Sequence, residues 1–190
     1  MLLYTDQVLL IEALATQLGA LLADKDKKIV AAESCTGGWV SQAITQVAGS
    51  SGWFDSTYVS YSNQAKREML GVKIRTLNKY GAVSQPVVEE MAAGALKKSG
   101  ADFSVAISGI AGPDGGTEDK PVGTVWFAWN IGGQIDASMA VLPGSRRDVR
   151  AAAVTLALQG LLVRIRPWLA RQPVPAQLEK ELTQLLDESE

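Results

Sequence analysis

Between Ile29 and Leu142 short strand-like runs alternate with helical stretches, and a single hairpin closes the series. That alternation constrains the fold more than any other feature of the chain, because it demands helices layered on a sheet. Ile29 to Glu33 reads as a short buried strand, followed by Thr-Gly-Gly and a helix through about Val47. Thr57 to Tyr61 alternates as a strand, and Ser62 or Asn63 caps a short helix that stops at Gly71. Ser84 and Pro86 open a further helix with Val88, Met91, Ala92 and Ala95 as its apolar stripe and Gly100 as its terminator. Phe103 to Ser108 is a strand, Thr124 to Asn130 and Gln134 to Leu142 form a hairpin around Ile131-Gly132-Gly133, and a long helix follows from about Arg146 to Ile165. The expected architecture is a three-layer α/β/α sandwich with a mixed sheet of about five or six strands.

At 190 residues the chain has room for one such domain, assigned to residues 1–166. Pro167, Pro173 and Pro175 mark a linker, and Leu178, Leu182, Leu185 and Leu186 predict a last amphipathic helix within residues 167–190. At the other end, Leu10, Leu14, Leu18 and Leu21 recur at helical spacing, while Asp6 and Glu12 interrupt the run and no basic segment precedes it. This is an amphipathic surface helix rather than a targeting signal. Ala151 to Val163 is too short to span a bilayer, so a cytoplasmic protein without membrane contact is expected.

Three motifs fall at the ends of three predicted strands. Ser34-Cys35-Thr36-Gly37-Gly38 joins the first strand to a helix, where glycines admit a ligand and free amides can hold an oxyanion or phosphate. Tyr61 ends the second strand, with Lys66 in the first turn of the next helix. After Ser108, a loop containing Gly109, Ala111, Gly112, Gly115 and Gly116 is rich in amide donors. In an open α/β sheet, ligands bind beyond the carboxyl ends of the strands, so the three loops are expected to converge. Composition limits the chemistry there. The chain contains no histidine, which excludes Ser-His-Asp and Cys-His arrangements and His-ligated metal, and its single cysteine forms no internal disulfide. A net charge of −2 gives no footprint for nucleic acid. A proton acceptor must be Lys, Tyr, Asp or Glu.

The segments AESCTGGW, AGSSGWF, YSNQAKREMLGV, GAVSQPVVEEMA and SGIAGPDGGTEDKPVGTVWFA, spread over about Ala31 to Arg150, resemble the C-terminal domain of the competence-damage-inducible CinA family. The resemblance implies a three-layer α/β fold and, in active members, hydrolysis of nicotinamide mononucleotide to nicotinic acid mononucleotide and ammonia by a serine/lysine dyad, with no metal or cofactor. Carried onto this chain, it implies Ser34 as nucleophile, Lys66 as base and Tyr61 as an assisting group. Thr36, Gly37, Gly38, Ser51, Asn63, Gly109, Ala111, Gly112 and Arg146 would bind substrate. Where family members often read Gly-Asp-Arg before the last long helix, this chain has Gly144-Ser145-Arg146. For Lys66 to act near pH 7 its pKa must fall from about 10.4 to about 7 or 8, roughly 4 kcal/mol. Desolvation on substrate binding is expected to supply most of this, with Arg67 a minor contributor.

The oxyanion donors are expected among the amides of Thr36 to Gly38 or of Gly109 to Gly112. Strand connectivity also delivers Arg146 and the start of the long helix to the same crevice, which suits a phosphate. The expected partner is thus a small nucleotide, with self-association left open. Three rival readings are a non-catalytic pyridine-nucleotide-binding relative, a Cys35 amidase, and a carboxylate or metal hydrolase built on Glu33, Asp55 and Asp114.

Overall fold

A computed structural model describes residues 4–23 and 25–171, with backbone alone at Tyr4. Helix α1 (Tyr4–Leu22) precedes strand β1 (Ile29–Glu33), helix α2 (Trp39–Thr45), a single 3-10 turn at Ser50–Gly52 and strand β2 (Phe54–Val59). Helices α3 (Asn63–Leu70), α4 (Ile74–Tyr80) and α5 (Gln85–Ser99) lead to strands β3 (Phe103–Gly109), β4 (Thr124–Ile131) and β5 (Gln134–Val141), then helix α6 (Arg146–Ala170). The five strands form one mixed sheet in the order β2-β1-β3-β4-β5. β1 runs parallel to both β2 and β3, while β4 is antiparallel to β3 and to β5. Two reversals cancel, so β5 ends beside the carboxyl ends of β1, β2 and β3.

Side chains of a strand point alternately to opposite faces, and β1 divides accordingly. Ile29 and Ala31 share a core cluster with Leu14, Leu18, Ile44 and Leu158 of α1, α2 and α6, together with Trp53 and with Phe127 of β4, on the same face of the sheet. Val30 and Ala32 pack with Leu70, Leu77, Val88, Met91 and Ala128 on the face covered by α3, α4 and α5. The three-layer sandwich follows from this division. All five residues of β1 are buried, as a central parallel strand requires. Each large apolar side chain enclosed in either layer contributes about 1.5–3 kcal/mol of burial.

Several expected boundaries move. In α1 the buried stripe is Ile11, Leu14, Ala15, Leu18 and Leu22, with Leu10 and Leu21 at its margins. β2 begins earlier and ends at Val59; the Ser60 amide still donates to the Glu33 carbonyl at 2.8 Å, while the Ser60 and Tyr61 carbonyls turn to Lys66. α4 was not marked by periodicity; its start is held from another helix, where Glu90 accepts from the Lys73 amide at 2.7 Å and the Thr76 hydroxyl at 2.9 Å. α6 runs through Pro167 to Ala170, so the expected linker does not begin at residue 167. Proline there removes one helical hydrogen bond without ending the helix, whose apolar face stays anchored through Ile165 and Trp168. The predicted C-terminal helix lies outside the described residues.

Candidate active site

The turn leaving β1 is organised around Glu33. Its buried carboxylate accepts from the amides of Gly38 at 2.9 Å, Val40 at 3.1 Å and Ser41 at 3.0 Å, and from the Thr57 hydroxyl at 3.3 Å. Gly38 enters α2 with φ of +95°, a conformation strained for any residue with a side chain. The Gly37 amide donates to the Ser34 carbonyl at 3.1 Å. The Gly37 and Gly38 amides are thus occupied from within the protein, which corrects their expected role as anion donors. Sequence reasoning treated Glu33 only as a rival catalytic acid. An acidic residue just upstream of Gly-Gly and a helix start was the available signal for a cap.

Ser34, 8% exposed, follows β1 directly. Lys66 on α3 is 1% exposed, and its Nζ lies 2.8 Å from Ser34 Oγ, 2.8 Å from the Ser60 carbonyl and 3.3 Å from the Tyr61 carbonyl. Carbonyls only accept, whereas a hydroxyl can accept or donate. A neutral Lys66 therefore gives its two N–H groups to Ser60 and Tyr61 and turns its lone pair toward the Ser34 O–H; a charged one fills the same three directions. Burial pushes its pKa down from 10.5 to about 8, opposed by the Cys35 thiolate form. The protein itself supplies that desolvation before any substrate arrives, and Arg67 contributes no part of it. Burial also pushes the Cys35 thiol up to about 11, against the pull of its own amide and of the Lys66 and Arg150 charges. Cys35 is thus a neutral thiol near pH 7, while Ser34 faces the lysine.

The other loops reach the same place from β2, β3 and α6. Tyr61 is exposed, and its hydroxyl accepts from Arg146 Nη2 at 3.0 Å; Arg146 Nη1 donates to the Gly112 carbonyl at 2.8 Å. Arg146 is held there by a capping box, in which the Ser145 hydroxyl accepts from the Asp148 amide and the Asp148 carboxylate accepts from the Ser145 amide. Ser145 therefore fixes the helix start although it replaces the aspartate. Ala111 and Gly112 are buried. A β-carbon at Gly109 would stand 3.1 Å from Cys35 Sγ and 2.7 Å from Val125, so this loop lies against the first. Arg150, one turn along α6, donates from Nε to the Cys35 carbonyl at 3.0 Å and from Nη2 to the Thr36 carbonyl at 2.8 Å.

Thr36 is fully buried, and its hydroxyl and that of Ser60 have no hydrogen-bond partner among the described residues. Asn63 is exposed at the first position of α3, where Ser62 provides the cap by accepting from the Ala65 amide. Ser51 is a correction. It sits in the 3-10 turn before β2, at the amino ends of the parallel strands, whereas Ser34 follows the carboxyl end of the paired β1. Five residues of strand, roughly 16 Å, separate those two ends. Within one chain Ser51 does not share the pocket with Ser34. Ser60 and Arg150, which complete the lysine and serine surroundings, were not singled out as site residues from sequence; their roles depend on backbone carbonyls, which residue type does not disclose. Among the described residues there is no group of three or more metal-ligating side chains, and no helix is long and apolar enough to cross a membrane.

Fold and site together define an α/β/α sandwich with a buried serine–lysine pair beyond the carboxyl ends of its parallel strands. The chain belongs to the CinA family, matching its C-terminal domain over residues 11–165. It is 53% identical over 149 residues to the nicotinamide-nucleotide amidohydrolase PncC of Escherichia coli strain K12, covering 78% of this chain and 90% of that protein. A CinA-like protein of Akkermansia muciniphila is 54% identical over 142 residues, which make up 74% of this chain and 34% of that longer protein. The crystal structure of competence damage-inducible protein A from Klebsiella pneumoniae superposes with a TM-score of 0.81 at 38% identity, covering 83% of this chain and 98% of that one.

Proposed function

We propose that this chain hydrolyses the carboxamide of nicotinamide mononucleotide to nicotinic acid mononucleotide and ammonia, with Ser34 as nucleophile and Lys66 as base. The observation that carries the reading is the 2.8 Å approach of Lys66 Nζ to Ser34 Oγ in surroundings whose burial lowers the lysine pKa to about 8. The substrate assignment rests on relatives named for that activity, the one above being covered over 90% of its length.

In the first half-reaction Ser34 Oγ attacks the carboxamide carbon while its proton passes to Lys66 Nζ. The carbonyl π pair moves onto oxygen. When that pair returns, the C–N bond breaks and Lys66 gives the proton to the departing nitrogen, which leaves as ammonia. In the second half, water attacks the acyl-serine, Lys66 takes one of its protons, and collapse returns that proton to Ser34 Oγ and frees the carboxylic acid, whose remaining proton passes through solvent to ammonia. Water is the one co-reactant in this balance. Arg146, exposed at the start of α6, supplies a guanidinium for the phosphate, and Tyr61 holds that guanidinium in place.

The test is ammonia release from purified protein given nicotinamide mononucleotide or free nicotinamide. Wild type is expected to turn over the nucleotide and to use nicotinamide poorly. Ser34→Ala should lower kcat by about a thousandfold while Cys35→Ala stays within a few-fold, and Arg146→Ala should raise KM with kcat little changed. Binding of the nucleotide without ammonia release would overturn the enzyme reading in favour of a pyridine-nucleotide binder. Comparable loss in Cys35→Ala would move the nucleophile to Cys35.

A further inference from the structure

Of the backbone amides that follow Ser34, most already have acceptors. Gly37 donates to the Ser34 carbonyl, Trp39 to the Thr36 carbonyl, and Gly38, Val40 and Ser41 to the Glu33 carboxylate. The Ser34 amide itself donates to the Ile107 carbonyl of β3 at 3.0 Å. Cys35 and Thr36 are left. Thr36 is fully enclosed, whereas Cys35, next to Ser34 in the chain, retains 5% exposure as a residue, so of the two amides that of Cys35 is nearer the open side of the site. Apart from its own thiol the Cys35 amide meets no acceptor among the described residues, and a buried N–H so placed calls for a partner.

The Cys35 amide lies in the peptide plane it shares with the Ser34 carbonyl, and fixing the plane on the other side of the Cys35 α-carbon limits how far that first plane can turn. The first carries the Ser34 carbonyl, held by the Gly37 amide; the second carries the Cys35 carbonyl, held by Arg150 Nε. Arg150 also grips the next carbonyl, Thr36, through Nη2, so one planar fork fixes two consecutive peptides. We infer that the Cys35 amide is an oxyanion donor of this site and that Arg150 is the positioning residue that aims it, from behind the loop and without touching substrate. This deepens the amidohydrolase reading and rests on it. An oxyanion donor works only if its direction is set before charge develops, since reorientation during the reaction would cancel the gain.

The surroundings of Arg150 make a direct test available. Its guanidinium lies over the Trp39 ring at 5.5 Å and lines a cleft of about 550 Å³ behind the loop, with Gly37, Gly38, Gln42 and Arg147. Truncating Arg150 leaves a space that methylguanidine can enter from this cleft. Arg150→Ala is expected to lower kcat on nicotinamide mononucleotide about a hundredfold, with KM changed less than about threefold and the acidic limb of the pH profile unmoved. Methylguanidine should restore at least a tenth of the wild-type kcat in this variant and do nothing for Ser34→Ala. Arg150→Lys should recover little, because an ammonium cannot span two carbonyls in one plane.

Three results would overturn the inference: a folded Arg150→Ala variant with wild-type kcat, a rise in KM alone, or a displaced acidic limb. These would make Arg150 dispensable, a substrate contact, or an electrostatic partner of Lys66. Circular dichroism and the methylguanidine arm separate misfolding from mispositioning, since a misfolded variant is not rescued, and failure of rescue in a folded variant also counts against positioning. Absence of turnover in wild type would instead refute the amidohydrolase reading. The labelling rate of Ser34 by phenylmethylsulfonyl fluoride then decides the Arg150 assignment, with a tenfold slower rate in Arg150→Ala expected and an equal rate overturning it.

Discussion

Lys66 is held in an environment that disfavours its charge. A fall from 10.5 to about 8 corresponds to about 3 kcal/mol of lost stability when the protein is folded and the amine protonated. Because the folded pKa lies below the unfolded one, the unfolded chain binds more protons between about pH 8 and pH 10.5, and stability contributed through this residue rises across that window. Below pH 8 the penalty is fully present; above pH 10.5 it is gone. Lys66→Met removes the titration, so the stability of wild type relative to this variant should improve by about 3 kcal/mol between pH 7 and pH 10.5. Urea unfolding of both proteins over that range checks it, and parallel curves would show that the burial does not act on the charge. With Lys66 as the proposed base, the acidic limb of kcat/KM is expected to fall tenfold per pH unit below about pH 8. Lys66→Arg keeps a cation but cannot release its proton, so it should be nearly inactive at every pH in that range. Destabilisation and function here come from one desolvated amine.

At the scale of elements, the position of Lys66 depends on how closely α3 approaches α5. Gly94 of α5 faces the end of α3, where a β-carbon would overlap the Leu70 carbonyl. The contact admits only glycine, and Leu70 is one turn from Lys66 on the same helix. Gly94→Ala should therefore lower stability by about 1–3 kcal/mol, the range for overpacking, and reduce kcat by displacing Lys66 from Ser34. Differential scanning calorimetry with turnover measurements tests this; unchanged activity in the destabilised variant would mean that α3 shifts without carrying its lysine. Such tertiary contacts mark the limit of what a single sequence discloses. The strands read at Ile29 to Glu33 and Phe103 to Ser108 were legible because a buried parallel strand is a short, mostly apolar run between breakers, and the second extends one residue further, to Gly109. Lys66 was legible by resemblance only, since nothing in its neighbours announces a lysine enclosed to 1% exposure. Ser51 belonged to a matching segment, yet the parallel pairing of β1 and β2 sends it to the opposite rim. The Gly37 and Gly38 amides looked available because their acceptors, the Ser34 carbonyl and the Glu33 carboxylate, come from the turn itself and the strand before it.

The whole molecule has a working end and an idle one. Ser34, Lys66, Gly112, Arg146 and Arg150 gather beyond the carboxyl ends of β1, β2 and β3, and α6 spans the sheet from that end, burying Leu158, Leu161 and Ile165 on the way. Movement of α6 as a body would carry both arginines, so activity and global stability should be lost together as temperature rises. The β4–β5 turn lies at the other end, because Ile131 pairs with Phe103 at the start of β3. Within that turn Gly132 is pressed against Trp168, but a side chain on Gly133 would meet nothing within 4 Å. A flexible loop of ten Gly and Ser residues inserted after Gly133 should leave kcat and KM within about twofold and cost little stability, since loop tips far from buried backbone tolerate added chain. A loss of turnover in a folded insertion variant would show that the two ends communicate. If they do not, the hairpin tip is the place to graft a peptide tag, a fluorophore or a tether to a solid support, leaving the rim that holds Ser34 and Lys66 facing open solution.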